Sequence, residues 1–235
     1  MIRVATYNVH AAIGSDRRRD LERIAAVIEE IRPDVIGLQE LESRASRGSS
    51  DQAMRLASML GMACVEGPMM LEGAGWYGNA TLSSLPVVAE QRWRFPDDSG
   101  EPRGALEVVV EDQQGGHWRL INTHLDLWAR SRLRQAQSLV RLFEFDRTGP
   151  WMLLGDLNEW RPWAATMAWL RRLGCVPPAP ASYPSCWPLF ALDRMVVHGC
   201  RLKAPLRCHA TKLSRRASDH LPIVADVERR PSEPC

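Results

Sequence analysis

The chain has 235 residues, 45% of them hydrophobic and 25% charged, with a formal net charge of +2. A chain of this length and composition buries a substantial core, so disorder of the whole is excluded, and the small net charge leaves only local patches for a polyanionic partner. Arginine supplies almost all the positive charge, lysine standing only at Lys203 and Lys212. Guanidinium groups suit phosphate, although a GC-rich genome produces the same bias.

In chain order, IRVATYNV (2–9) reads as a strand ending in polar residues. Apolar residues at 21, 24, 25, 27, 28 and 31 predict a helix, with Asp20 as its N-cap and Pro33 beyond its end. DVIGLQE (34–40) is a second strand that ends in a carboxylate, and this strand–helix–strand opening signals a layered α/β fold. A helix over 51–60 and weaker strands at 62–66, 79–85 and 105–111 follow. HWRLINTHLD (117–126) is a strand, 130–145 an arginine-rich amphipathic helix, WMLLGDLNE a strand and 161–172 a helix. ALDRMVVH (191–198) and HLPIVADV (220–227) are the last strands, and 67–78, 93–103 and 174–190 are expected to be long loops.

The proline-rich stretch 174–190 is followed by two strands and no helix to cover them, so a single domain over 1–230 with a loose tail at 231–235 is expected. The six cysteines show no CxxC spacing and read as buried thiols, not as a zinc site or disulfide framework. The first ten residues, MIRVATYNVH, lack a leader's apolar stretch, and no run is long enough to span a membrane. A cytoplasmic location is expected, with a monomer favoured.

Short polar side chains recur where apolar strands stop or start: Asn8, Gln39 with Glu40, His124, Asp156 with Asn158, Asp193, and Asp219 with His220. Turns alone favour Asp and Asn. In layered folds, however, strand ends on one side of a sheet form the functional rim. Carboxylates and amides are oxygen ligands for Mg²⁺ or Mn²⁺, and histidines transfer protons near neutrality. The set points to metal-assisted hydrolysis of a phosphate ester. No GxSxG elbow, Walker A sequence or GxGxxG is present.

These motifs resemble the endonuclease/exonuclease/phosphatase superfamily nearly end to end: TYNVH, LQE, NTHLD, GDLNE, LDRMVV and SDHLPIVA, in that order. The resemblance implies a four-layer α/β sandwich, two mixed sheets packed face to face with helices outside, and a divalent-metal-dependent activity. It implies that Glu40, with Asn8 and Asp219, holds the cation. His124 would contact the phosphate, Asp156 would stand near the attacking water, and Asn158 would support both. Asp193 would be the partner of His220, which we favour as the base, although Asp156 is a rival for that role. YGNATLS resembles the segment that places an amide near the phosphate, which makes Asn79 a candidate. Arg130, Arg132 and Arg134 head the helix after NTHLD and are candidates for a distal phosphate, with a solvated charged face as the alternative. Trp128 is a candidate lid or stacking residue on the same terms. None of the eight motif residues is replaced, so a non-catalytic scaffold is a remote alternative.

For substrate, the resemblance puts a nuclease or phosphodiesterase first and a phospholipid or sugar-phosphate esterase close behind. The basic stretch 201–216 is a candidate contact for DNA, anionic lipid headgroups or a small phosphorylated metabolite, and the run WPLF (187–190) for a membrane or a base. WPLF reads equally as the edge of the core.

Overall fold

The computed structural model describes residues 1–48, 51–96, 101–143 and 149–229. In chain order these form β1 (Ile2–Asn8), α1 (Leu21–Ile31), β2 (Val35–Glu42), α2 (Gln52–Leu60), β3 (Ala63–Glu72), β4 (Gly75–Ser83), β5 (Val87–Arg94) and β6 (Gly104–Glu111). Then come β7 (His117–His124), α3 (Ala129–Phe143), β8 (Trp151–Asp156), α4 (Ala165–Leu170), β9 (Asp193–His198), β10 (Cys200–Leu202), β11 (Arg207–Cys208), α5 (Ser214–Ala217) and β12 (Ile223–Arg229). One sheet runs β10-β12-β1-β2-β4-β3, with β11 also paired to β12, and the other runs β5-β6-β7-β8-β9.

Side chains alternate across a strand, and that alternation sorts the apolar residues into three cores. On β1, Ile2 and Val4 join the core between the sheets, while Ala5 and Tyr7 pack with α1 and α2 on the outer face. On β8, Met152 and Leu154 face the first sheet, while Trp151 and Leu153 pack with α3 and α4 on the far side. Three cores separate four layers, so the chain is a four-layer α/β sandwich of two mixed sheets with helices outside. Asp20 caps α1 by accepting the Arg23 N–H at 2.9 Å, and Arg32 in left-handed conformation ends it ahead of Pro33.

Topology gathers the polar strand ends. Each sheet has one parallel pair, β1 with β2 and β7 with β8, and both pairs finish at the same rim, with Asn8 opposite Gln39 and His124 opposite Asp156. The antiparallel neighbours begin where those strands stop. Asp193 of β9 faces Asp156, and Ile223 of β12 faces Thr6, so His220 and Asp219 arrive just beyond the end of β1.

Several expectations need correction. Residues 67–78 are not a loop; they lie in the hairpin of β3 and β4. Gly67, Pro68, Gly73 and Gly75 suggested a loop, but Pro68 sits at a register shift on an edge strand, where a missing N–H is tolerated. β5 was not expected, because it is an exposed edge strand with a charged sequence. The helix expected over 161–172 is confined to α4, and 201–216 holds β10, β11 and α5. The five described cysteines are free, but only Cys200 is buried; Cys64 and Cys208 are half-buried, and Cys175 and Cys186 are exposed. Cys235, the 231–235 tail and the last two residues of the expected 130–145 helix lie outside the described residues. Among the described residues no helix is long and apolar enough to cross a membrane.

Candidate active site

Asp193 and His220 form the floor of the site. Asp193 Oδ2 lies 2.8 Å from His220 Nδ1 and also accepts the Ser182 hydroxyl at 2.5 Å. Asp193 is fully buried and His220 nearly so. The carboxylate therefore fixes the imidazole with its Nδ1–H inward, and Nε2 looks toward Asp156 Oδ2, 3.6 Å away. The Tyr183 ring lies against it, with centroids 4.9 Å apart. Burial alone would lower the His220 pKa, but Asp193, Asp156 and Asp219 outweigh it and push it up to about 10. Burial raises Asp156 above the usual carboxylate range, to about 6, with the Asp193 charge adding to it and His220 opposing.

The first sheet contributes Asn8 and Glu40. Asn8 Nδ2 donates to Glu40 Oε1 at 2.8 Å and to Asp156 Oδ2 at 3.1 Å, joining the two sheets across the rim. Glu40 occupies an unusual backbone position. Ile36 and Leu38 pack on the helix side of β2, and simple alternation would send residue 40 there as well. A bulge between Leu38 and Leu41 puts Leu41 into that core instead. Glu40 takes a left-handed φ of 60° within the bulge, and its side chain reaches the cleft. Gln39, also a strand-end candidate, does not reach the rim. Its Nε2 donates to Asn122 Oδ1 at 2.7 Å, and Asn122 Nδ2 donates to the Leu38 and Ala80 carbonyls, which makes a buried bridge between the sheets.

From the second sheet, His124 Nδ1 lies 2.8 Å from Arg103 Nη1. Arginine only donates, so Nδ1 is the acceptor and the imidazole proton sits on Nε2. Nε2 lies 3.5 Å from Asp156 Oδ2 and 3.9 Å from Glu40 Oε1. Burial, then Arg103 and His220, hold the His124 pKa well below the usual histidine value, so it is neutral at pH 7. Asn158 has a left-handed φ of 50°, and its amide nitrogen donates to the Leu125 carbonyl at 2.8 Å. The same nitrogen lies 3.1 Å from His124 Nε2, but with a proton on Nε2 both are donors, so the two do not bond to one another. Backbone strain at Glu40 and Asn158 is held by the packed sheets on either side.

These groups open into a cleft of about 330 Å³ lined by Glu40, Glu101, Asp156 and Asp219, with Arg103 as the one permanently cationic side chain lining it among the described residues. A cleft with four carboxylates, three of them partly open to solvent (Glu40 at 21%, Asp219 at 35% and Glu101 at 40% exposure), is a suitable donor set for a hard divalent cation. Ligand atoms of Asp156, Asp193 and His220 also lie within 4.8 Å of one another. Burial of Asp193 and its hydrogen bond to His220 suit that trio to proton handling. Of the open carboxylates Glu101 pairs with Arg103 at 3.0 Å, which leaves Glu40 and Asp219 as the open oxygen donors without an arginine partner.

The remaining candidates are distributed differently. Asn79 is buried opposite the Glu40 bulge, and its Nδ2 has no hydrogen-bond partner among the described residues. Arg130 and Arg134 are exposed on α3 and do not line the cleft. The helical period that turns Arg132 inward carries 130 and 134 outward, and Arg132 pairs with Glu159 at 3.0 Å, so it is not free for phosphate. Trp128 is exposed beside the cleft-lining Leu127. In the basic stretch, Arg201, Arg207 and Arg216 pair with Glu228, Asp226 and Asp16, and none of 201–216 lines the cleft. WPLF is not a core edge, since Trp187, Leu189 and Phe190 are exposed. The sequence reading did not name His10, Glu101, Arg103, Tyr183 or Leu192, which all line the cleft. His10 was within reach, two residues after Asn8 in the same motif. A single arginine ahead of an apolar strand carries no comparable signal.

Fold and rim together define a phosphoester hydrolase. The chain belongs to the Endonuclease/Exonuclease/phosphatase family, whose model matches residues 5–220. A crystal structure of an endonuclease/exonuclease/phosphatase from Beutenbergia cavernae DSM 12333 superposes with a TM-score of 0.80 at 25% identity, over 97% of this chain and 71% of that one. The mannosyl-6-phosphatase Bt3783 of Bacteroides thetaiotaomicron VPI-5482 shares the fold at a TM-score of 0.72 and 16% identity, over 97% and 100% of the two chains. D. rerio TDP2 complexed with single strand DNA product shares it at 0.72 and 17%, over 97% and 98%. No curated protein matches.

Proposed function

We propose that the protein hydrolyses phosphodiesters by in-line attack of water and depends on Mg²⁺ or Mn²⁺. The observation that carries this reading is the Asp193–His220 pair, 2.8 Å apart, beneath a cleft edged by Glu40, Asp156 and His124. Glu40 and Asp219, with Asn8 orienting Glu40, would hold the cation. When bound, the cation would offset the clustered carboxylate charge that keeps His220 protonated and would polarise a phosphate oxygen. His220 takes the water proton at Nε2, and Asp193 stabilises the imidazolium that results. Asp156, 3.6 Å from that nitrogen, orients the water. His124 donates its Nε2–H, and Asn158 its amide, to the phosphoryl oxygens where charge builds in the transition state.

Nucleic acid, the substrate class that the resemblance places first, needs a basic track that the described lining of the cleft does not offer. That observation favours the second reading, a phospholipid or sugar-phosphate ester. The test is hydrolysis of bis-p-nitrophenyl phosphate, an abasic-site duplex, plasmid DNA and a phospholipid side by side, with Mg²⁺ or Mn²⁺ and with EDTA. EDTA-sensitive turnover that disappears in His220→Ala supports the reading. Silence on every substrate, or turnover indifferent to EDTA, would refute it.

A further inference from the structure

A series of aromatic rings leads outward from the catalytic histidine. Tyr183, which packs on His220 and lines the cleft, is bridged through its backbone to Phe190. The Phe190 and Trp160 rings lie 5.6 Å apart, and those of Trp160 and Trp163 lie 6.2 Å apart, edge to face. Trp160 directly follows GDLNE, so the series is anchored to the strand that delivers Asp156. Backbone hydrogen bonds from Leu189 to Tyr183 and from Trp187 to Pro184 fix the 183–190 segment alongside. The outer members are exposed: Trp163 at 74%, Trp187 at 72% and Leu189 at 62%, while Leu127, on the cleft wall, is exposed at 71%.

Single exposed apolar residues are ordinary, but a connected series leading outward from the wall of one polar cleft marks an interaction surface. The chemistry of the group selects the partner. Platforms for single-stranded nucleic acid combine aromatic rings with a cationic groove. Here Arg161 is tied to Glu159, Arg215 donates to the Ser185 and Cys186 carbonyls, and Arg103 is buried against His124. Leu127 and Leu189 add aliphatic surface that base stacking does not use. Tryptophans and leucines reaching outward from a polar cleft whose described lining holds one arginine fit the boundary between lipid headgroups and acyl chains, where indole rings are favoured.

Resting on the phosphodiesterase reading, we propose that the cleft mouth docks on a phospholipid bilayer through Leu127, Trp160, Trp163, Trp187, Leu189 and Phe190, which presents headgroup phosphodiesters to His220 and Glu40. The attraction is apolar, so it survives salt that screens ionic contacts.

The test is flotation of the full chain with phosphatidylcholine vesicles, with and without phosphatidylglycerol, in EDTA so that no turnover intervenes. Binding to both vesicle types is expected, with a blue shift of tryptophan emission and little loss at high salt. The triple variant Trp163→Ser, Trp187→Ser and Leu189→Ser, checked for an unchanged melting curve, is expected to bind about tenfold more weakly or worse, a factor worth about 1.4 kcal/mol. A wild-type chain that stays in the soluble fraction, or a folded triple variant that floats as well as wild type, would overturn the proposal. So would tight binding of a single-stranded oligonucleotide, or self-association, that the variant abolishes in place of vesicle binding. A chain that floats but hydrolyses nothing refutes the hydrolase reading and leaves the surface standing. An active chain indifferent to vesicles does the reverse.

Discussion

Arg103 Nη1 and His124 Nδ1 lie 2.8 Å apart, and because arginine only donates this contact makes Nδ1 the acceptor and leaves the proton on Nε2. Arg103 is itself buried and held by Glu101 at 3.0 Å. Replacing it by methionine frees Nδ1 to carry the proton in part of the molecules. We expect kcat/KM to fall about 10- to 100-fold, the usual effect of losing a group that orients a site histidine. Nitrogen NMR of the histidine should show Nε2–H in the wild type and mixed tautomers in the variant. An unchanged tautomer with an unchanged rate would show that Arg103 only packs.

Asp193 and His220 are expected to act as one unit. His220→Ala should lose about 10²- to 10⁴-fold in kcat. Adding Asp193→Asn should then cost much less than it does alone, because the group it orients has gone. The check is a double-mutant cycle on kcat with bis-p-nitrophenyl phosphate, and additive losses would separate the two residues.

Glu40→Gln keeps the size of the side chain and its contact with Asn8 but removes a charged oxygen donor. We expect the Mg²⁺ concentration for half-maximal rate to rise at least tenfold, with a partial recovery at saturating metal. A metal titration of the rate decides, and an unshifted midpoint would remove Glu40 from the cation site.

Gly155 has a φ of 147°, and a Cβ there would lie 1.7 Å from the Thr123 carbonyl oxygen across the β7–β8 pair. Gly155→Ala must push apart the two strands that carry His124 and Asp156. The expected cost is about 2–4 kcal/mol, from backbone strain and overpacking together. Urea unfolding midpoints measure it, and a variant as stable as wild type would mean that the strands separate without cost.

Asp112 tests stability against pH well away from the cleft. Burial works against its charge, but hydrogen bonds from Trp118 Nε1 at 2.7 Å and from the Gly116 and Gln114 N–H groups, with Arg229 nearby, pull its pKa down to about 2. A depressed carboxylate pKa stabilises the fold above the unfolded value near 4, and that contribution is lost as pH falls toward 2. Asp112→Asn should therefore be less stable at neutral pH by about 1–2 kcal/mol and should converge on wild type at the lowest pH that both survive. A constant gap in the melting temperatures across pH 7 to 3 would contradict this.

Much of the architecture was legible because alternation and helical spacing are local. The runs at 2–9, 21–31, 117–126 and WMLLGD show their period directly. The β3–β4 hairpin was not legible, since its glycines and Pro68 imitate a loop and only the pairing of β3 with β4, and of β4 with β2, makes the segment strand. β5 was hidden because an exposed edge strand needs no apolar pattern. Of the site, the motif residues could be named, but Arg130, Arg132 and Arg134 looked equivalent along the chain. Only the packing of α3 turned Arg132 onto Glu159 and left the other two outside.

By itself the sequence determined which strands have buried faces and which polar residues end them, because both depend on the order of neighbours along the chain. It could not determine that those ends meet. That required two parallel pairs, β1–β2 and β7–β8, to stop at one rim, with β9 and the approach to β12 starting there. It also required the bulge that takes Glu40 off the helix-side face of β2 and turns it toward the cleft, while Gln39 is spent on the bridge to Asn122. These are contacts between residues far apart in sequence, and their geometry exists only once the two sheets have packed.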